Sequence, residues 1–297
     1  MFSPTGRHHP RQPQQSLARG VGGADRSPGD HSGLRWPDVG GLTVQIKFLG
    51  TGAAEGIPAI GCDCAHCTRA RNEGGKLVRE RNAILFSLPD YELLIDCAPD
   101  IRSLINKYQI TRLDGILATR ARYDHIGGIK EFEWWRGGLD FLAEETLFET
   151  IKREHWTEML DGVMFHIPYY PGSSLYFSGF SVIPFAARRQ RPIFGISVKE
   201  GETRVVYTSD TPARLTNYAR RVMWECDLLI VNTPIFEPVS ENHITVIEAI
   251  ELKERVGARQ MILTYINHEN KPHDELEAFV RQFKGVTVAY DGMVAEV

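Results

Sequence analysis

The chain has 297 residues, 42% of them hydrophobic and 24% charged, a composition suited to folding in water around an apolar core. Its net charge of −4 is spread along the sequence, which gives neither nucleic acid nor a membrane surface an electrostatic claim on it. No apolar run reaches the roughly 18 residues of a membrane span and no secretory signal is read at the start, so the expected compartment is the cytoplasm. Residues 1–42 are rich in Pro, Gly, Arg, Gln and Ser without hydrophobic periodicity, and read as a disordered tail that buries too little to fold. One domain is expected over 43–297. Within it, 42–49 reads as a strand and 50–56 as a glycine-rich turn. Strands are expected at 83–87 and 93–96, a helix at 101–108 and a short buried strand at 115–118. Helical spacing recurs at 128–135 and 144–160, followed by strands at 175–177, 180–185, 194–198 and 204–208. In the last third, helices near 212–223, 245–256 and 273–283 alternate with strands at 228–231, 261–264 and 287–290. That order suggests sheets covered on the outside by helices, and there is no internal repeat.

Of five cysteines, Cys62, Cys64 and Cys67 fall within six residues, while Cys97 and Cys226 stand alone. An odd, clustered set points to metal rather than disulfides, with three reduced thiols or a redox cluster as the alternative. Structural zinc takes four ligands, so one must arrive from elsewhere. His66 lies inside the loop, where its geometry is cramped. His268, just past the strand at 261–264, is the better candidate and would staple the loop to the C-terminal part of the chain.

The segment 116–128, ILATRARYDHIGG, places a cluster of ionisable residues after a buried strand, at the end where α/β folds carry their chemistry. It resembles the T-H-x-H-x-D-H motif of the metallo-β-lactamase superfamily, with Arg120 and Arg122 in the places of two histidines. FLGTGAAEGIPAIGCDCAHC (48–67), LLIDCAPDIR (93–102), VYTSDT (206–211) and LTYINH (263–268) are similar to further motifs of the same superfamily. The likeness covers essentially everything after the tail. It is greatest to the cyclic-phosphate phosphodiesterases of phosphonate breakdown and to the pyrroloquinoline quinone synthesis protein B group, both of which carry the cysteine-rich insert. The resemblance implies an α+β fold, a four-layer αββα sandwich of two mixed sheets with the pocket at the sheet edges. It also implies one structural zinc, held by Cys62, Cys64, Cys67 and His268.

Active members of that superfamily use two metals about 3.5–4 Å apart to make a hydroxide and clamp phosphoryl oxygens. Carried over by position, the histidines of the first metal fall on Arg120, Arg122 and Arg189. The Asp and His of the second metal are matched by Asp124 and His125, its further histidine falls on Tyr265, and Asp210 matches the bridging carboxylate. Arginine stays protonated and offers no lone pair, so the first site is expected to be lost. Asp124, His125 and Asp210 still make a three-ligand set for one weakly held zinc, manganese or iron ion. Tyr265, a phenol with a pKa near 10, would have to deprotonate to join them.

Three readings stay open. In the first, the arginines simply neutralise Asp124 and Asp210. Alternatively Arg120, Arg122 and Arg189, with Tyr265 and flanked by Arg188 and Arg191, form a cradle for phosphate or carboxylate. In the third, Asp124, His125 and Asp210 sustain single-ion catalysis. The leading expectation is a non-catalytic, hydrolase-like protein binding a small anionic, phosphate-bearing ligand; the competitor is a metal-dependent phosphodiesterase. Expected partners are that anionic or phosphodiester ligand and a second copy in a homodimer. Asp100 reads as a helix cap beside Asp96, Phe132, Trp134 and Trp135 as core or as the rim of a substrate mouth, and His243 as a helix-start residue within reach of the pocket.

Overall fold

Strand-forming stretches occur in two blocks of the sequence, and each block builds its own sheet. The computed structural model describes residues 44–188, 193–237 and 243–297; the expected tail, Arg189 and Arg191 lie outside them, as does the side chain of Arg188. The first block supplies β1 (Gln45–Gly50), β2 (Ala83–Leu88), β3 (Tyr91–Ile95), β4 (Gly115–Leu117), β5 (Leu139–Ala143) and β6 (Met164–Pro168). The second supplies β7 (Leu175–Tyr176), β8 (Phe180–Arg188), β9 (Ile193–Glu200), β10 (Thr203–Tyr207), β11 (Leu228–Asn232), β12 (Gln260–Thr264) and β13 (Val286–Val288). The last strand, β14 (Val294–Glu296), returns to the first sheet and pairs with β1, Ile46 opposite Ala295.

The sheet orders are β14-β1-β2-β3-β4-β5-β6 and β13-β12-β11-β10-β9-β8-β7. Both follow one plan. In the first, the pairings from β14 to β3 are antiparallel and those from β3 to β6 parallel. In the second, β7 to β10 pair antiparallel and β10 to β13 parallel. The two halves therefore share a topology that their residues do not repeat.

Alternation along the parallel strands defines the layers. Val205 and Tyr207, Leu228 and Ile230, and Ile262 face the core shared with the first sheet. Their neighbours Val206, Leu229, Val231, Met261 and Leu263 face a second core under α5 (Asn217–Met223), α6 (Val246–Val256) and α7 (His273–Val280). Strands covered on both faces are apolar throughout, and β11 (LLIVN) is buried at every position. On the far side, Ile101 and Leu104 of α2 (Ile101–Lys107) and Leu147 and Ile151 of α4 (Glu145–Glu154) pack onto the first sheet. The result is the expected four layers. α6 begins with a full capping box between Thr245 and Glu248 and ends on Gly257 at φ 68°.

Several elements differ from expectation. β5 and β6 were not anticipated, because their short runs lack the alternation of a half-exposed strand. α1 (Ala65–Glu73) is a polar helix, AHCTRARNE, so Cys67 sits on a helix rather than in a loop. The stretch 129–134 is a 3₁₀ turn. Asp100 heads α2 without capping it by its side chain. Its carboxylate instead takes the Arg81 guanidinium and backbone N–H, at 2.8 and 3.0 Å. No helix of the described residues is long and apolar enough to cross a membrane.

A buried guanidinium ties the turn after β1 to the C-terminal part. Arg79 donates to Thr51 Oγ1 and the Ala289 carbonyl at 2.7 Å each, and to His273 Nδ1 at 3.0 Å. Burial and the Arg79 charge press His273 down to about 3. It stays neutral while the unfolded chain takes up a proton near its ordinary value of about 6.5. Its contribution is therefore complete above about 6.5 and shrinks as pH falls from there toward 3. Between pH 7 and 5 this loss amounts to about 2 kcal/mol. Asp291, pushed up to about 6 by burial, works in the opposite sense, so a matched variant isolates the histidine. Urea unfolding of His273→Gln, which keeps an acceptor for Arg79, should show that loss removed relative to wild type; an unchanged pH slope would refute the assignment.

Candidate functional site

The ionisable residues singled out from the sequence converge at the C-terminal ends of the parallel strands. Asp96 follows β3, Thr119 and Arg120 follow β4, Asp210 follows β10 and Tyr265 follows β12, while Asn232 ends β11. Asp96, Ser209 and Tyr265 hold φ of 61°, 54° and 60°. That left-handed region costs a side-chain-bearing residue roughly 1–2 kcal/mol, and here it turns the chain abruptly off each strand.

Asp96, fully buried, anchors the arrangement. It accepts from Thr119 N and Oγ1 at 2.9 Å and from His125 Nδ1 at 2.7 Å. His125 sits on α3 (Tyr123–Ile126) and is 1% exposed. With Nδ1 committed, its Nε2 faces Asp124 Oδ2 at 3.4 Å and Asp210 Oδ2 at 3.9 Å and makes no hydrogen bond. Burial presses the imidazole down, but Asp96, Asp124 and Asp210 outweigh it and raise it above its usual range.

Both carboxylates facing that nitrogen carry an arginine. Arg122 Nε donates to Asp124 Oδ1 at 2.8 Å, and the Tyr265 hydroxyl donates to Asp124 Oδ2 at 2.5 Å. Arg120 Nη1 donates to Asp210 Oδ2, and Asn232 Nδ2 to Asp210 Oδ1 at 3.1 Å. Burial pushes each acid up. For Asp124, His125, Tyr265 and the two arginines reverse it; for Asp210, His125, Arg120, His243 and Asn232 do so. Tyr265 is driven well above its ordinary value by burial and by Asp210 and Asp124. It therefore serves as a donor rather than as a phenolate ligand. Asp96, Asp124 and Asp210 thus face Arg120, Arg122 and His125 in one ion-pair lattice.

Beside the lattice opens a cavity of about 440 Å³, walled by Arg122, Tyr265, His243 and the carboxylates Glu55, Glu237 and Glu269, among others. This corrects the expected arginine cradle. Arg122 reaches the wall and its side chain is 43% exposed, whereas Arg120 is 12% exposed, turned onto Asp210, and does not line the cavity. The described wall carries more carboxylates than guanidinium groups. Phe132 is core, Trp135 packs against it at 5.6 Å and Trp134 is 79% exposed, and none of them lines the cavity. His243 does reach it. Asp96, Asn232 and Glu55 were given no role in the sequence: Asp96 closed an expected strand, Asn232 lay just past one and Glu55 lay in a turn.

The cysteine group assembles as expected. Cys62 Sγ and Cys64 Sγ lie 3.2 and 3.6 Å from His268 Nδ1, and the ligand atoms of Cys62, Cys64, Cys67 and His268 all fall within 4.8 Å of one another. Tetrahedral zinc, with bonds of about 2.3 Å to sulfur and 2.0–2.1 Å to nitrogen, sets sulfur–nitrogen edges of about 3.6 Å, so these residues fit a metal of that kind. Backbone N–H groups already serve the sulfurs: Cys67 N to Cys64 Sγ at 3.4 Å and Ala59 N to Cys67 Sγ at 3.3 Å. The first lowers the Cys64 thiol to about 6, while burial raises Cys67 to about 11. A Cys64 lowered in this way, with two further sulfurs and His268 Nδ1 gathered beside it, suits a cation. His66 does not compete, since its Nδ1 meets the His268 carbonyl at 3.3 Å. The His268 Nε2 faces Glu55 Oε1 at 3.6 Å. No other described group of three or more such donors gathers as closely, and Asp124, His125 and Asp210 instead engage the arginines, Tyr265, Asn232 and Asp96.

Two outcomes follow from this geometry. Elemental analysis of protein purified without added metal or chelator should find about one metal per chain, and Cys64→Ser should lose it together with several degrees of melting temperature. Arg120→Met should cost roughly 3–5 kcal/mol by leaving Asp210 buried and unpaired. Adding Asp210→Asn should recover most of that in a double-mutant cycle, and simple additivity would break the pairing argument.

Comparison with known proteins agrees with this architecture. The chain is 26% identical to the octanoyltransferase of Porphyromonas gingivalis over 249 residues, spanning 78% of this chain but only 48% of that protein. In fold it is similar to a diphosphatase from the PhnP family, with a TM-score of 0.73, 22% identity and coverage of 86% of this chain and 98% of the other. It is also similar to the Zn(2+)-bound PqqB of Methylobacterium extorquens, with a TM-score of 0.75, 18% identity and coverage of 85% and 100%. Residues 91–266, more than half of the chain, match the beta-lactamase superfamily domain, and with its paired mixed sheets the chain belongs to the hydrolase-like metallo-β-lactamase-fold group of that superfamily.

Proposed function

We propose that this chain is a non-catalytic member of its family, held by one structural zinc in the Cys62–Cys64–Cys67–His268 clasp, that binds a small anionic, phosphate-bearing ligand. The observation that carries the reading is the ion-pair lattice. Asp124 and Asp210 each hold a guanidinium where the family resemblance puts metal, and a guanidinium cannot ligate one. When zinc is bound to the clasp it neutralises the thiolates and fixes the segment that carries Tyr265, Asn267 and Glu269 into the cavity wall.

The ligand's charge falls to Arg122. Its Nε is committed to Asp124, its Nη1 stands 4.0 Å from Asp210, and its exposed edge faces the cavity. That edge suits a two-point contact with a phosphate or carboxylate. Glu237 and Glu269 on the same wall favour a ligand with one anionic group and hydrogen-bond donors elsewhere, since a second negative charge would be repelled. The likeness to a diphosphatase of the PhnP family supports the phosphorus chemistry of the ligand.

A second reading rests on His125 Nε2, which makes no hydrogen bond and faces Asp124 Oδ2 at 3.4 Å and Asp210 Oδ2 at 3.9 Å. A single zinc, manganese or iron ion there would require Arg120 and Tyr265 to leave their carboxylates, and would support phosphodiester hydrolysis. One compound separates the two. Bis(p-nitrophenyl) phosphate at about 100 times its Kd should stabilise the fold by about 2.7 kcal/mol, without hydrolysis, and Arg122→Ala should abolish the melting-temperature shift. No shift in wild type would sink the binding reading. Metal-dependent release of nitrophenol that Asp124→Ala or Asp210→Ala removes would establish the enzyme instead.

A further inference from the structure

Glu55 stands where the clasp and the cavity meet. It lies in the turn after β1, its carboxylate walls the cavity, and its Oε1 is 3.6 Å from His268 Nε2. The nitrogen on the other side of that ring, Nδ1, points at Cys62 and Cys64 Sγ. One imidazole thus has its two nitrogens turned to two different sites. Asn267 and Glu269, on either side of His268, also wall the cavity.

The chemistry of the ring couples the two sides. A metal on Nδ1 leaves the proton on Nε2, and a divalent cation makes that N–H a stronger donor. Glu55 then has a polarised donor facing it and is drawn toward the clasp. Without the cation that pull is absent. Glu55 is released toward the cavity and adds a negative charge facing Arg122. We propose that Glu55 is a positioning residue that makes anion binding in the cavity depend on metal in the clasp. This rests on the anionic-ligand reading above, and it assigns to the clasp a role beyond holding the fold together.

The test compares the metal-loaded and chelator-stripped full chain, wild type and Glu55→Gln, by calorimetric titration with bis(p-nitrophenyl) phosphate, a monoanion that chelates zinc poorly. Stripping should weaken probe binding about tenfold in wild type and less than twofold in Glu55→Gln, each measured against its own loaded form. A Glu55→Gln protein that keeps the full metal dependence overturns the proposal. A second measurement uses loaded protein alone and so does not depend on the fold of the stripped chain. Nitrogen-15 NMR of the ring should show the His268 Nε2–H proton shifting upfield in Glu55→Gln at unchanged metal content, and an unmoved resonance overturns the link. If loaded wild type fails to bind the probe, the ligand reading falls by itself, and the NMR result still decides whether Glu55 takes the His268 proton.

Discussion

Two carboxylates buried at the strand ends are the constraint around which the rest of this site is arranged. Asp124 and Asp210 are almost wholly removed from water, and an ionised acid in such a place must be given a cation or give up its charge. A pair of metal ions would meet that need in the family at large. Here Arg120, Arg122 and the imidazole of His125 meet it, with Tyr265 and Asn232 supplying the remaining hydrogen bonds. The substitution is chemically complete, since the charges balance once His125 is protonated. It is also geometrically different, because the guanidinium groups of Arg120 and Arg122 bond the carboxylate oxygens directly.

The same constraint orders the surrounding polypeptide. The strained backbone at Asp96, Ser209 and Tyr265 persists because each residue is locked by partners on other strands. His125 keeps its orientation because Asp96 and Thr119 hold its ring from behind. On the far side of the cavity, the clasp restrains the stretch from Tyr265 to Asn270, where Ile266 N–H donates to the Thr51 carbonyl, the His268 carbonyl meets His66 and the Asn270 amide donates to the Thr233 carbonyl. The lattice and the clasp thus share one segment of chain.

Much of this was legible in the residues. The motif positions 120, 122, 124, 125, 210 and 265 do converge, because a motif tied to strand ends inherits its geometry from the sheet. The clasp was legible through cysteine spacing, and His268 through resemblance. What could not be read was the division of labour between similar side chains. Nothing in the letters distinguishes Arg120, turned inward to Asp210, from Arg122, left half-exposed; that depends on which carboxylate lies nearer each backbone position. Asp96 and Glu55 escaped notice because their partners come from distant parts of the chain. The helix at 65–73 escaped because its packing rests on two small residues and a histidine, too weak an apolar pattern to register.

The clasp also has a consequence for how the protein comes into being. Cys62 and His268 are separated by 206 positions, and the last strand that completes the first sheet is the C-terminal one. At about 5–20 residues per second of translation, the three thiols spend roughly 10–40 seconds outside the ribosome before their imidazole partner has been made. During that interval they are an incomplete chelate, open to oxidants and to whichever soft metal is abundant. Correct loading thus depends on the cellular supply of metal during synthesis, and a cell short of it would accumulate chains whose cysteine loop is not tied to the segment after β12.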